Sequence, residues 1–417
     1  MPGPTTRKPA SHNHANPDSR KHCPEILQPS IRTASRAEGR GFAEMVNSPH
    51  RRDTDVFVIG GGPAGLAAAI AARQRGFEVA VADSAIPPID KPCGEGLMPD
   101  GISALADLGI TISPEDSHPF RGIRFVSSGA KVDASFPTGQ GLGIRRTRLH
   151  SLMIERAIAV GINLLWQTVV TGLHPDGVWL GPNLVRSRWI VGADGAHSQV
   201  RRWADLDQNS GCQQRFAFRR HYRVSPWTSC MELHWGNNCQ LYITPVAADE
   251  ICVATISRDP GLRLDRALAR FPVVAGRLEG LQRTSAERGA VSSTRRLRQV
   301  YRGRTALIGD ASGSVDAITG EGLCLAFRQA IILSESFATG TLDAYQAGHR
   351  NLARRPALMS WLMLTLDGRD WFRQRVMQAF ATQPRTFAQM LALHVGAAPP
   401  LALAGIGLSL GWDLLFP

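Results

Sequence analysis

Between residues 54 and 90 the apolar pattern changes period twice. Val56-Phe57-Val58-Ile59 is an unbroken apolar run, an alanine-rich segment follows Gly65, and Val79-Ala80-Val81-Ala82 is apolar again before Asp83. That succession predicts a strand, a helix and a second strand, a βαβ unit. The alternation resumes over residues 142–202. Between the two lies Lys91–Gln140, irregular apart from short alternating runs such as Gly122-Ile123-Arg124-Phe125-Val126. Over residues 206–294 the period is two: Gln214–Val224, Met231–Trp235 and Gln240–Val246 alternate, predicting an antiparallel sheet with one face toward a cavity. From residue 325 helical patterns dominate. Leu358–Leu366 is apolar, and Leu391–Pro417 more so, interrupted by His394, Asp413 and the Pro399-Pro400 pair. The run after the prolines is shorter than the ~20 residues that span a bilayer. The segment reads as a buried helical cap, with interfacial membrane contact or a lid over a lipophilic substrate as the other readings.

A chain of 417 residues exceeds the ~250–300 residues at which a single core stops growing, so two lobes around a shared cleft are expected. The net charge is +12, of which residues 1–52 carry +5 in a Pro-, Ser-, Asn- and His-rich stretch without apolar period. That stretch reads as a disordered tail, with Met45 the expected initiator. Lys91 and Lys131 are the only lysines after it, so the remaining excess is arginine. No nucleic-acid-binding motif accompanies the charge, and attraction for anionic small molecules or acidic lipid headgroups is its expected use. Seven cysteines, with no C-x-x-C pair and irregular gaps among Cys212, Cys230, Cys239 and Cys252, point to small core side chains rather than a metal site and to a reduced, cytoplasmic setting.

Three glycine–aspartate signatures carry the chemistry. The first is Gly60-Gly61-Gly62-Pro63-Ala64-Gly65, a G-x-G-x-x-G turn between the first strand and the alanine-rich helix. Gly60 permits the tight turn, Gly62 a close backbone approach to a pyrophosphate and Gly65 helix-on-strand packing, with the phosphates at the positive helix end. Asp83 closes the second strand, where a carboxylate accepts bonds from ribose hydroxyls. The second signature is Trp189-Ile190-Val191-Gly192-Ala193-Asp194-Gly195, and the third Ala306-Leu307-Ile308-Gly309-Asp310, followed by Thr319-Gly320-Glu321-Gly322-Leu323. Gly320 and Gly322 let backbone approach a flat ring, and a helix beginning near Leu323 aims its partial positive charge at that ring.

Together these motifs resemble the FAD-dependent aromatic hydroxylase superfamily, whose relatives include geranylgeranyl reductases and flavin halogenases. The resemblance spans about residues 54–335. It implies an α/β fold: an FAD-binding Rossmann-like domain of the glutathione-reductase type (53–90, 141–205 and 295–335), an inserted antiparallel substrate domain with a flavin-covering loop (91–140 and 206–294), and a helical C-terminal cap (336–417). It further implies that the first motif holds the ADP half of FAD, that Asp194 lies near the pyrophosphate, that Asp310 bonds the ribityl chain, and that Arg146 touches the cofactor from the head of a helix. Lys91-Pro92-Cys93-Gly94-Glu95-Gly96 resembles the cysteine–glycine segment of geranylgeranyl reductases, which makes Cys93 and Glu95 candidate catalytic neighbours of the flavin, or parts of a loop that merely covers it.

With a single complete dinucleotide fingerprint, NAD(P)H is expected as a transient reductant, unless a separate reductase serves. Trp227, Trp235, Tyr242 and His221 are the expected wall of a substrate cavity. The implied activity is an FAD-dependent monooxygenase acting on a lipophilic or aromatic small molecule, plausible in secondary metabolism. The alternative is a reductase of isoprenoid double bonds, and more remote are a halogenase, whose W-x-W-x-I-P signature is absent, and a prenyl or lipid carrier. The oligomeric state is left open.

Overall fold

The computed structural model describes residues 53–127, 129–207 and 213–399. The expectations for the tail, for Met45, for Cys212 and for the apolar run beyond residue 399 lie outside the described residues.

Strand β1 (Thr54–Ile59) runs through the glycine turn into α1 (Pro63–Gln74), and β2 (Val79–Asp83) returns parallel to β1 with Val56 opposite Val79. Pro63 occupies the first turn of α1, where its missing N–H costs nothing. Gly65 through Ala72 are all buried because the sheet covers one side of α1 and a later helix the other. The irregular stretch contains a helix that its composition hid, α2 (Pro99–Asp107), and then the hairpin β3 (Gly122–Ser127) and β4 (Ala130–Ser135). Helix α3 (Arg146–Ala159) leads to β5 (Asn163–Trp166) and to the long β6 (Asn183–Gly192), which is followed by the short α4 (Gln199–Trp203).

The second excursion gives β7 (Gln213–Arg223), β8 (Cys230–Gly236), β9 (Cys239–Ala247), β10 (Glu250–Ser257) and β11 (Arg288–Arg296), close to the alternating runs. After β12 (Thr305–Leu307) come four helices: α5 (Gly322–Thr339), α6 (Asp343–Asp367), α7 (Asp370–Thr382) and α8 (Pro384–His394).

Two large sheets result. The first runs β12-β6-β1-β2-β5, all parallel, with short antiparallel strands at one edge and beside β6. The second runs β11-β7-β10-β9-β8-β3-β4. Its neighbours are antiparallel except β3 and β8, which lie parallel with Ile123 opposite Met231. Two separate stretches of chain therefore share one sheet. Helices α6, α7 and α8 cover a face of it, burying Met363, Phe380 and Phe387 against Phe125, Met231 and Leu233.

Candidate functional site

The three motif turns meet at the C-terminal ends of β1, β6 and β12, the position at which open α/β sheets bind ligands. Gly60 has φ +113°, and a Cβ there would lie 2.4 Å from the carbonyl oxygen of Ala193. A Cβ on Gly65 would lie 1.8 Å from the carbonyl oxygen of Gly60, so this glycine sets the helix-to-strand distance. Gly62 differs: its backbone is extended, at φ −71° and ψ 177°, and a Cβ would meet nothing within 4 Å. The same open space faces Gly320 and Gly322, and Leu323 follows, half-buried, in the first turn of α5. Gly309 packs against Ala64, whose Cβ is 2.7 Å from where its own would be, and its N–H donates to Oε1 of Gln329 at 2.9 Å.

Each predicted aspartate has a distinct setting. Asp83 accepts the N–H of Gly61 at 2.7 Å and that of Ala85 at 2.8 Å, bracing the glycine turn. Asp194 spends Oδ2 on the N–H groups of Gln199 (2.6 Å) and Val200 (3.1 Å), while its buried Oδ1 has no partner. The Asp310 side chain is accessible, yet the surrounding walls push its carboxyl pKa up, against the pull of Lys91 and Arg146. Gly195 lies under the ammonium of Lys91, 3.5 Å from the Cβ position.

The arginine cluster at the head of α3 divides by register. Arg145 faces Glu250 at 3.6 Å, Arg148 is bonded to Asp116 (2.6 Å) and Glu155 (2.8 Å), and Arg146 turns toward Asp310 with a buried Nε that lacks a partner. The orphaned Asp194 Oδ1 and Arg146 Nε, the open glycine surfaces and an α1 first turn free of acids fit an elongated anionic dinucleotide.

Two residues that sequence reasoning missed hold this frame. Buried His150 accepts the N–H of Ile89 on Nδ1 (3.1 Å), so Nε2 carries the proton and donates to the carbonyl of Gly61 at 2.7 Å. Burial pushes its pKa down, in keeping with a neutral ring. Its signal was the spacing from Arg146, one helical turn away on the same face. Arg201 is buried and donates to the carbonyls of Ala311 (3.1 Å) and Ala196 (2.8 Å), joining the second motif to the third.

The covering segment separates its two candidates. Cys93 is half-buried, and its sulfur accepts the Glu95 N–H at 3.4 Å. Glu95 is buried at φ +59° with both carboxylate oxygens engaged: Oε1 accepts the N–H of Arg146 (3.0 Å) and Oε2 faces Nε2 of His221 at 2.6 Å. Arg219 donates to Nδ1 of His221 at 3.2 Å, which leaves Nε2 as the protonated nitrogen, donating to Glu95. Cys252 lies close enough to Glu95 and His221 to complete a metal triad. Its thiol, however, is kept protonated by burial and by Glu95, and donates to the carbonyl of Cys93 at 3.8 Å. The group is a hydrogen-bonded knot between covering loop, α3 and β7.

An apolar pocket lies between the second sheet and the cap helices, lined by Phe125, Met231, Leu233, Tyr242, Met363 and Phe387 among others, and it reaches Ile318 and Thr319 just before Gly320. Of the four expected wall residues only Tyr242 lines it, donating its hydroxyl to the carbonyl of Ile318 at 2.8 Å. Trp235 shares the face of Met231 and Leu233 but lies past the pocket, covered by Phe125 and Arg373. Trp227 precedes β8 and stacks on Arg277, 5.1 Å from ring to guanidinium, and His221 turns to the covering loop. Alternation tells which residues share a face, not where along it a cavity lies.

Comparison with known proteins agrees with this geometry. Residues 53–221 match the FAD binding domain family. The fold and this domain define the chain as an FAD-dependent oxidoreductase. Its sequence is 29% identical over 367 residues to a menaquinone reductase of Mycobacterium tuberculosis (strain ATCC 25618 / H37Rv), covering 79% of this chain and 85% of the relative. It is 24% identical over 369 residues to the chloroplastic geranylgeranyl diphosphate reductase of Oryza sativa subsp. japonica, covering 79% and 78%. Among solved structures, a flavoprotein/dehydrogenase from Cytophaga hutchinsonii superposes with a TM-score of 0.71 at 18% identity, covering 82% of this chain and 93% of that one. A 2-methyl-3-hydroxypyridine-5-carboxylic acid oxygenase superposes with a TM-score of 0.63 at 22% identity, covering 79% and 93%.

Proposed function

We propose that the protein is an FAD-dependent reductase that saturates a carbon–carbon double bond in a lipophilic, prenyl-bearing molecule, with NAD(P)H as transient reductant. The observation that carries this reading is the apolar, methionine-rich pocket that ends at Ile318 and Thr319. An unbranched thioether fills irregular space and adapts to a flexible chain, and the pocket's polar members are few, which suits a hydrocarbon better than a phenol needing orientation. The two reductase relatives support the same substrate class.

In this reading Gly60, Gly62, Pro63, Ala64 and Gly65 receive the pyrophosphate at the α1 N-terminus, and Asp83 takes the ribose. Asp194, Gly195 and Arg146 line the phosphate path, and Gly309, Asp310, Gly320, Gly322 and Leu323 hold the ribityl chain and ring. Bound FAD supplies a two-electron carrier between nicotinamide and substrate. The protein's own share is to position the chain, exclude water through the apolar walls and supply a proton. In the covering loop the half-buried Cys93 takes the Glu95 N–H on its sulfur, and Glu95 holds the loop in place.

A second reading, monooxygenation of a lipophilic or aromatic molecule, is favoured by the oxygenase-like fold and uses the same pocket. Anaerobic incubation with NADPH and geranylgeranyl diphosphate or a menaquinone decides between them. The reductase yields a product two mass units heavier without oxygen. Label from ¹⁸O₂ in the product, with no anaerobic turnover, would establish the monooxygenase instead.

A membrane surface is the proposed source of the substrate. Trp361 on α6 and Trp371 on α7 are 62% and 64% exposed, an arrangement suited to the lipid headgroup region. Among the described residues no helix is long and apolar enough to cross a membrane.

A further inference from the structure

Two cavities, one apolar and one lined by charged as well as apolar side chains, lie beside the third motif. The apolar pocket is lined on one side by His394, the last residue of α8, which is buried. On the other side, Glu321 lines a mixed cavity of about 130 Å³ with the charged Arg328 and Arg355, Asn351 and apolar Leu325 and Leu352. Glu321 stands between Gly320 and Gly322, and its Oε2 lies 3.5 Å from Nδ1 of His394. Both atoms are buried, and neither has a hydrogen-bond partner. These two orphaned atoms face each other across the wall between the charged-residue cavity and the apolar pocket.

We propose that Glu321 and His394 form a proton relay, with His394 the acid that protonates the substrate in the apolar pocket and Glu321 the residue that recharges it from the cavity lined by Arg328 and Arg355. The proposal rests on the reductase reading. An isolated double bond has no neighbouring carbonyl to accept charge, so hydride addition requires a proton at the other carbon. The step balances. With a reduced nicotinamide dinucleotide as the two-electron reductant, a hydride equivalent would form one C–H bond, and the π pair would take the His394 Nε2 proton to form the other. The double bond becomes single, the dinucleotide is oxidised by two electrons, and a proton from water passes through Glu321 to His394.

The surroundings suit this task. Tyr242 is occupied by the carbonyl of Ile318 and burial raises its pKa, which removes it as a donor near neutrality. Glu321 is faced by Arg355 from α6 at 3.3 Å, by Asp100 of α2, which holds Arg355 at 2.7 Å and Arg328 at 3.6 Å, by Cys324 on its own helix and by His394. Burial raises the Glu321 carboxyl pKa, Asp100 adds to the rise, and His394 and Arg355 oppose it. A carboxyl so placed holds its proton more readily than an exposed one.

Two measurements test the relay in the flavin-loaded protein. First, His394 is observed by NMR of labelled imidazoles, its signal assigned by its loss in His394→Gln. Glu321→Gln, which keeps the shape, should move the His394 ring-nitrogen resonances because it replaces the carboxylate facing Nδ1; resonances unchanged from the wild type overturn the relay whatever the substrate. Second, His394→Gln should slow anaerobic product formation by about 10²–10⁴-fold, while FAD content and the rate of flavin bleaching by NADPH stay as in the wild type. Glu321→Gln should lower kcat rather than raise KM and should shift the pH profile. Wild-type turnover and pH profile in His394→Gln would overturn the proposal. If the wild-type protein saturates no prenyl substrate, the reductase reading fails, and the NMR coupling still decides whether the pair is linked.

Discussion

The two glycines that frame the first helical turn provide a sharp test, because they do different work within three residues. At Gly65 a Cβ would lie 1.8 Å from a main-chain oxygen that cannot rotate away. Gly65→Ala must therefore push α1 from β1, and overpacking of this kind costs about 1–3 kcal/mol. With about 2–4 °C per kcal/mol for a large domain, the apoprotein should melt several degrees lower. At Gly62 the backbone angles suit any L residue, and the added side chain enters open space. Gly62→Val should leave apoprotein stability unchanged and instead displace the phosphates from the N–H groups of α1. Each charge-assisted bond lost is about 1.5–3 kcal/mol, or roughly 10–150-fold in FAD affinity. The assay is a thermal melt of deflavinated protein paired with a flavin titration by fluorescence. The reasoning is refuted if Gly62→Val binds FAD as tightly as the wild type, or if its apoprotein melts as low as Gly65→Ala.

Further outcomes concern the rest of the frame. His349, bonded to Ser312 Oγ at 2.9 Å, has its pKa pushed down to about 4 by burial and by Arg350. The unfolded chain thus binds this proton first, and stability is lost as pH falls from about 6.5 toward 4, reaching about 2–3 kcal/mol by pH 4.5. The wild type should therefore lose this increment relative to His349→Gln between pH 7.5 and 4.5, and parallel melting curves at both pH values would show the opposite. Glu95→Ala leaves the buried Nε2 of His221 without its acceptor, while Arg219 keeps Asp90, and should cost about 1–3 kcal/mol by urea unfolding. Cys93→Ala, which removes one weak acceptor, should leave melting and FAD content unchanged, and a loss of turnover in it would mark a direct role. Replacing Trp361 and Trp371 together by Gln should reduce sedimentation with anionic vesicles without changing FAD content; equal binding would remove these residues from the membrane surface.

What the sequence revealed followed from how locally each feature is encoded. The glycine turns are backbone requirements met within six residues, and the strands β7, β8 and β9 announce themselves by period two, so both were readable. Helix α2 was hidden because its buried face is only Gly101, Ala104 and Leu105 in a Pro- and Gly-rich stretch. The contacts of Glu95 with His221 at 2.6 Å and with Arg219 at 3.7 Å join residues more than 120 positions apart, and nothing in either segment names the other. The pair Glu321 and His394 was invisible for the same reason, although His394 stood out as a polar break in an apolar run.

The order of assembly during synthesis follows from where the covering layer of α1 is encoded. Helix α1 is complete at Gln74, but the parallel sheet gains β12 only at Leu307 and α1 is covered by α5 only at Thr339. At about 5–20 residues per second, the ribosome needs roughly 13–53 s to cover that interval, during which an alanine-rich apolar helix lacks the cover of α5. The stretch matched by the FAD binding domain family ends inside β7, so excising it reproduces that stalled nascent state rather than a minimal flavin-binding unit. Chains released before β12 emerges should be captured by chaperones or aggregate, however intact their first glycine turn.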